Sequence, residues 1–287
     1  MSANRKSVVV TGVSTGIGWG TAKVLVANGF QVFGSVRKAA DGDRLKAEFG
    51  EAFTPLLFDV TDEAAVRAGA RQVEAALGGQ TLAGLVNNAG IAVAGPLLHL
   101  PVEDFRQQME VNVTGMVIAT QAFAPLLGAG SPARKDPGRV VNISSVGGRT
   151  ASPFMAPYST SKFAVEGLSE SLRRELLVFG VDVIVVAPGA VATPIWSKAE
   201  EIDVTPYANT VYAGPMDRLK TYMQALGVKG LPPERIGEVI LQALTVAKPK
   251  VRYTVSPDPF QVFMSEKVLS KRAMDQIVGK RMGLLPE

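Results

Sequence analysis

The chain repeatedly sets short, nearly unbroken apolar runs between longer stretches of helical spacing; Val181–Ala187, Val-Asp-Val-Ile-Val-Val-Ala, is one such run. A strand with one wet face alternates apolar and polar residues, whereas an almost continuous apolar run marks a strand covered on both faces. Strands are expected at Ser7–Thr11, Gln31–Ser35, Pro55–Asp59, Leu82–Asn87, Arg139–Ser144, Val181–Ala187 and Val251–Val255. Helices are expected at about Gly18–Asn28, Asp62–Leu77, Val102–Leu127, Tyr158–Phe179 and Pro233–Val246. Doubly covered strands joined by helices require a parallel sheet between two helical layers. The fold class is therefore α/β, a doubly wound, seven-stranded parallel sheet flanked by helices.

At 287 residues the chain can bury one large core, and the Gly128–Gly138 stretch is a flexible loop too short to divide domains. Residues 1–287 are read as a single domain. The absence of cysteine excludes disulfides and thiolate chemistry, and a single histidine, His99, leaves no metal cluster, so no metal is expected. A net charge of +4 without a run of five basic residues argues against nucleic acid as a partner. No window of about 18 apolar residues spans a membrane. The opening Met1–Ser7 runs into a strand without the apolar region of a signal peptide, so a cytoplasmic location is expected.

The first expected strand leads into Thr11-Gly-Val-Ser-Thr-Gly-Ile-Gly18. Gly12-Val-Ser14-Thr-Gly16 also fits the turn that presents a nucleophilic serine in α/β-hydrolases, but that chemistry needs a histidine late in the chain. His99 comes too early and sits where a loop enters a helix, so an ordinary structural role is expected for it. The alternative is a phosphate cradle: glycines between a strand and a helix let backbone N–H groups approach a dinucleotide pyrophosphate. The second strand ends Val36-Arg37-Lys38, with no acid until Asp41. An acid there would hold the ribose 2′-hydroxyl of NAD, whereas Arg37 and Lys38 suit the 2′-phosphate of NADP. Ser14 and Thr15 add hydroxyl donors. NADP(H) is preferred over NAD(H).

Tyr158 and Lys162 lie four apart and share one helix face. Upstream, the expected strand Arg139–Ser144 leads into Ser144 and Ser145 at its carboxyl end, where open α/β sheets bind ligands. Together, Thr11–Gly18, Asp59-Val60, Asn87-Asn-Ala-Gly90, Asn112, Ser145, Tyr158-Ser-Thr-Ser-Lys162 and Pro188-Gly-Ala-Val-Ala-Thr193 make the chain resemble a short-chain dehydrogenase/reductase over nearly its whole length. The segment Pro249–Val255 and the tail Ser265–Gly283 are similar to the branch acting on steroids and retinoids.

That resemblance implies a Rossmann-type, NAD(P)-binding domain and a reaction interconverting a secondary alcohol and a ketone. Tyr158 would donate or accept the proton, and Lys162 would lower the phenol's pKa and hold the nicotinamide ribose. Ser145, thirteen residues before the tyrosine as in the family, would bind the substrate oxygen, and Asn112 would order a water beside Lys162. Cofactor contacts are implied at Gly12, Ser14, Thr15, Gly16, Ile17, Gly18, Arg37, Lys38, Asp59, Val60, Asn87, Ala89, Gly90, Val111, Pro188, Val191 and Thr193. Pro153, Phe154, Met155 and Trp196 join Ser145 and Tyr158 as candidate substrate contacts, which favours an apolar, steroid- or lipid-like carbonyl or alcohol.

The irregular stretch at about 194–230 gathers Trp196, Tyr207, Tyr212 and Tyr222, which reads as a substrate lid or as extra core packing. A helical extension is expected at about 258–287. Its interspersed Lys267, Lys271, Arg272, Lys280, Arg281, Glu266 and Asp275 suit a packed or dimer-forming helix rather than a membrane-surface anchor. A homodimer or homotetramer is expected from the long helices. The rival functions are a non-redox epimerase or dehydratase retaining the cofactor, and a non-catalytic NADP(H)-binding regulator.

Overall fold

The strands β1 (Ser7–Val10), β2 (Gln31–Val36), β3 (Phe53–Leu57), β4 (Gly84–Asn87), β5 (Arg139–Ile143), β6 (Asp182–Pro188) and β7 (Arg252–Val255) form one sheet in the order β3-β2-β1-β4-β5-β6-β7. Every neighbouring pair is parallel. The chain winds outward from β1 to β3, returns to β4, and winds the other way to β7. Strand order thus reverses between β1 and β4, and a crevice opens beyond their carboxyl ends. The structure, a computed structural model, describes residues 5–130, 136–193 and 203–286.

The helices are α1 (Gly16–Ala27), α2 (Ala39–Phe49), α3 (Glu63–Leu77), α4 (Val102–Met109), α5 (Gly115–Phe123), α6 (Ala156–Glu175), α7 (Ala213–Val228), α8 (Pro233–Thr245), α9 (Pro259–Phe263) and α10 (Lys271–Met282). The pleat of β1 divides its valines between two cores. Val8 and Val10 pack with Leu25 of α1, Leu45 of α2 and Ile236 and Ile240 of α8, whereas Val9 packs with Val73 of α3 and Phe123 of α5. Each such side chain, fully buried, stabilises the fold by about 1.5–3 kcal/mol. On the first face α1 meets α8 backbone to backbone: a Cβ on Gly20 would come 2.6 Å from Pro233 C, and one on Gly237 would come 2.8 Å from Gly20 O. A third, smaller cluster joins Phe154 to Tyr207 and to Met216, Leu219 and Met223 of α7.

Several local features depart from the expectations. β3 begins and ends two residues earlier than Pro55–Asp59, because Pro55 lies within it, opposite Gly34. An edge strand tolerates the missing N–H. Helix α2 was not expected: Asp41-Gly-Asp43 has poor helix propensity, and the helix is held by burial of Gly42 and Leu45. The helical path from Val102 to Leu127 is interrupted by a π-type turn at Glu110–Thr114, which buries Asn112. Of the stretch expected as a lid, residues 194–202, including Trp196, lie outside the described residues, and the remainder forms a short turn at Thr205–Tyr207 and α7. In the tail, α9, a π-type turn at Met264–Val268 and α10 pack back on the domain, with Arg281 stacked 4.2 Å over the Tyr222 ring. Among the described residues, no helix is long and apolar enough to cross a membrane.

Candidate active site

A cavity of about 290 Å³ occupies the crevice, and its walls come from the carboxyl ends of β1, β2, β4, β5 and β6 and from the start of α1. The β1–α1 loop forms the floor. Gly12 (φ +70°) and Gly16 (φ +59°) take conformations disfavoured for other residues. A Cβ on Gly18 would come 2.1 Å from Gly12 O and 2.6 Å from Asn88 Nδ2. Gly18 therefore shapes the loop and, being buried against it, is not among the residues that line the cavity. The loop is fixed by side chains: Gly12 N donates to Ser35 Oγ at 2.9 Å, and Asn88 Nδ2 donates to Thr11 O and Gly12 O at 2.9 and 3.0 Å. Thr15 caps α1 without a side-chain hydrogen bond, and the first turn holds no acid. The open N–H groups and positive helix end suit a phosphate.

At one end of the cavity stand Ser14, Thr15, Arg37 and Asp59, with Val60 and Val111 along the wall and Ala89 and Gly90 beside the loop. Arg37 is 73% exposed and 3.8 Å from Asp59, so its guanidinium is free to reorient. Two expected contacts lie elsewhere. Lys38 caps α2 rather than lining the cavity. Asn87 turns into the core, where its Nδ2 donates to Thr120 Oγ1 and Asn142 Oδ1 at 3.0 and 2.9 Å. Successive residues at a strand end face opposite sides, so Asn88 takes the cavity-side place assigned to Asn87.

The other end holds Tyr158, Lys162, Ser144, Pro188, Val191 and Thr193. Pro157 lies in the first turn of α6, and the helical spacing places Tyr158 and Lys162 on one face. Lys162 Nζ donates to Ile143 O at 2.9 Å and lies 5.7 Å from the Tyr158 ring centre. Ser145 opens a tight turn at Val146–Gly148, its Oγ accepting from Gly147 N at 3.0 Å, and it hydrogen-bonds the Tyr158 hydroxyl. Burial pushes the Tyr158 phenol above its usual value, with the Ser145 hydrogen bond opposing in part. Burial likewise pulls Lys162 down to about 8. In the protein alone burial is the larger influence on the phenol and raises its pKa, so any lowering by the Lys162 ammonium acts against that desolvation.

Asn112 sits in the π-type turn, 1% exposed. Its Oδ1 accepts from Ile91 N at 2.8 Å, and its Nδ2 donates to Ile91 O and to Ser161 Oγ at 3.1 and 3.0 Å. Ser161 Oγ in turn donates to Tyr158 O at 2.7 Å. Gln108, one turn before, holds Val93 N and Ile91 O in the same way. Asn88 and Ser161 lie within sequence motifs that assign them no role of their own, and Ser35 carries no local mark; the i, i+4 spacing of Gln108 and Asn112 is the one sequence signal of this anchoring. Pro153, Phe154 and Met155 do not line the cavity. Phe154 is buried, with a positive φ of 63°, and packs edge-on against Tyr212, which also meets His99. His99 is a packing residue there. Among the described residues, no group of three His, Cys, Asp or Glu side chains is placed to hold a metal ion.

Residues 6–203 match the family model for short chain dehydrogenase. The chain belongs to that family. A relative from Ornithobacterium rhinotracheale, named NADPH-dependent 3-dehydrocapnine reductase, is 39% identical over 97% of this chain and 98% of its own. Dehydrogenase/reductase SDR family member 9 of Bos taurus is 34% identical over 88% of this chain and 81% of its own. A short-chain dehydrogenase of Streptomyces avermitilis superimposes with a TM-score of 0.76 at 29% identity, covering all of both chains. Membership makes this short-chain dehydrogenase an oxidoreductase.

Proposed function

We propose that the protein is an NADP(H)-dependent oxidoreductase that interconverts a secondary alcohol and a ketone on an apolar, lipid-like substrate. The observation that carries this reading is the convergence of Tyr158 and Lys162 at one end of a phosphate-ready cavity, with Ser145 hydrogen-bonded to the Tyr158 side chain. The cofactor suits the cavity: Gly12, Gly16 and Ile17 with the start of α1 would take the pyrophosphate, and Ser14, Thr15 and Arg37 the 2′-phosphate. Asp59, Val60, Ala89, Gly90 and Val111 would border the adenosine, and Lys162, Pro188, Val191 and Thr193 the nicotinamide. When bound, the cofactor supplies or accepts the hydride. The NADPH dependence named for the Ornithobacterium relative supports this preference, and its named substrate supports carbonyl reduction.

The chain's own residues handle the proton. Ser145 donates a hydrogen bond to the substrate oxygen and stabilises charge developing there. Tyr158, held protonated by burial, delivers its proton to that oxygen during reduction. Lys162 stabilises the tyrosinate that this transfer leaves behind. Asn112 anchors the Ile91 loop to Ser161 and so fixes the first turn of α6. The test is Tyr158→Phe, assayed by nicotinamide absorbance against a carbonyl panel. Turnover is expected to vanish while NADPH affinity stays near wild type; surviving turnover would overturn the tyrosine's role.

A further inference from the structure

Four charged side chains from two distant stretches of the chain, Arg149 and Glu166 in one and Arg252 and Glu266 in the other, meet beside the serine turn. Arg252 Nε donates to both carboxylate oxygens of Glu166 at 3.1 Å, and Arg252 Nη2 stands 3.6 Å from Glu266 Oε1. Arg149, which follows the turn Val146–Gly148, faces the same two carboxylates, each at 3.7 Å. The side chains of Glu266, Arg252 and Glu166 are only 7%, 10% and 16% exposed. Two guanidiniums balance two carboxylates, which makes their burial tolerable.

The hydrogen bonding of the group is incomplete. Ser144 Oγ, Thr150 Oγ1, Arg252 Nη2 and Glu266 Oε1 are buried without a hydrogen-bond partner, and the last two face one another across that 3.6 Å gap. A buried ionic group left partly unsatisfied is a poor source of stability. Its placement is what distinguishes it. Glu166 lies one turn beyond Lys162 on α6, and Arg149 directly follows the turn that begins with Ser145. The cluster therefore grips both halves of the catalytic set, and Glu266 adds a third point of attachment from the π-type turn of the tail.

We propose that Glu266 is a positioning residue. It holds Arg149, and with it the turn that orients Ser145 Oγ, in register with Tyr158. The proposal rests on the reading of Ser145 and Tyr158 as the catalytic pair. Without the Glu266 carboxylate, two guanidiniums share Glu166 alone. Arg149, the more exposed of the two at 41%, then turns to water and releases the serine turn. The cofactor's cradle is built on other loops and keeps its shape.

The experiment uses the full chain with a carbonyl substrate found in an NADPH-linked screen. It compares Glu266→Gln, Glu266→Asp, Arg149→Met and the double variant Arg149→Met/Glu266→Gln, with Tyr158→Phe alongside. Glu266→Gln is expected to lower kcat roughly 10- to 100-fold through misplacement of Ser145. NADPH Kd, read by fluorescence titration, stays within about twofold, as for an interaction made outside ground-state cofactor binding. Glu266→Asp recovers much of the rate, and the double variant is no slower than the slower single, because both changes remove one contact. Wild-type kcat in Glu266→Gln and Arg149→Met overturns the positioning role, as does additive slowing in the double variant. Should Glu266→Gln fail to fold, Arg149→Met breaks the same contact from its exposed side. Turnover retained by Tyr158→Phe would instead overturn the catalytic assignment beneath the proposal, so the two failures are told apart.

Discussion

Replacing Lys162 by methionine should make the cofactor-free protein more stable while destroying its activity. The ammonium is buried, and that burial pulls its pKa from 10.5 to about 8. The difference corresponds to a penalty of about 3 kcal/mol on the charged form at neutral pH. Methionine occupies similar space without the charge, and loses the hydrogen bond to Ile143 O, worth about 1 kcal/mol. Lys162→Met is thus expected to gain about 2 kcal/mol at pH 7, or roughly 3–4 °C in Tm for a chain of this length. The pH dependence tests the cause. The unfolded chain keeps the lysine proton up to about pH 10.5 and the folded chain only up to about 8, so wild-type stability rises with pH between those values. The electrostatic part of the variant's advantage should fall to about 1 kcal/mol by pH 9.5, where the hydrogen-bond loss cancels it. Urea unfolding of both proteins at pH 7, 8 and 9.5 measures this directly. A variant less stable than wild type at pH 7, or a gap independent of pH, would refute the reasoning.

Arg37→Asp should shift the ratio of kcat/KM for NADPH and NADH by at least tenfold toward NADH, by replacing the proposed 2′-phosphate partner with a repelling carboxylate; an unchanged ratio would remove Arg37 from that site. Gly18→Ala places a methyl 2.1 Å from Gly12 O. Cofactor Kd, measured by fluorescence titration, should weaken at least tenfold as the loop opens, and an unaltered Kd would show that the loop does not hold the phosphates. Asn112→Ala removes three hydrogen bonds made by a buried amide and should destabilise the protein by about 3 kcal/mol. Hydrogen exchange at Ile91 should speed up accordingly; unchanged protection there would contradict the anchoring role.

The apolar runs made the sheet legible, because a strand covered on both faces has few other readings. The glycine loop and the Tyr158–Lys162 spacing were legible for a similar reason: each works within one or two turns of chain. The failures lie where register or long-range contact decides. Asn87 and Asn88 are chemically identical neighbours, and only the pleat of β4 determines which enters the core. Helix α2 depends on burial of Gly42 and Leu45 against a sheet its own composition does not announce. Phe154 looked like a pocket residue by its place between Ser145 and Tyr158, but its backbone turns the ring toward Tyr212. The Arg149, Glu166, Arg252 and Glu266 cluster spans more than a hundred residues, and no local pattern marks its members as partners.

The glycine contact between α1 and α8 carries a kinetic consequence. Helix α1, proposed to present its N-terminus to the phosphates, is made more than two hundred residues before the surface it rests on, Pro233–Gly237. At about 5–20 residues per second, on the order of ten to forty seconds separates the emergence of the two helices. Throughout that interval the Pro233–Gly237 backbone that packs on Gly20 in the folded protein has not yet been made. Arrested nascent chains ending before α8 should therefore bind NADPH far more weakly than chains that include it. Cofactor binding is thereby expected late in folding, although its sequence motif precedes α8 by more than two hundred residues.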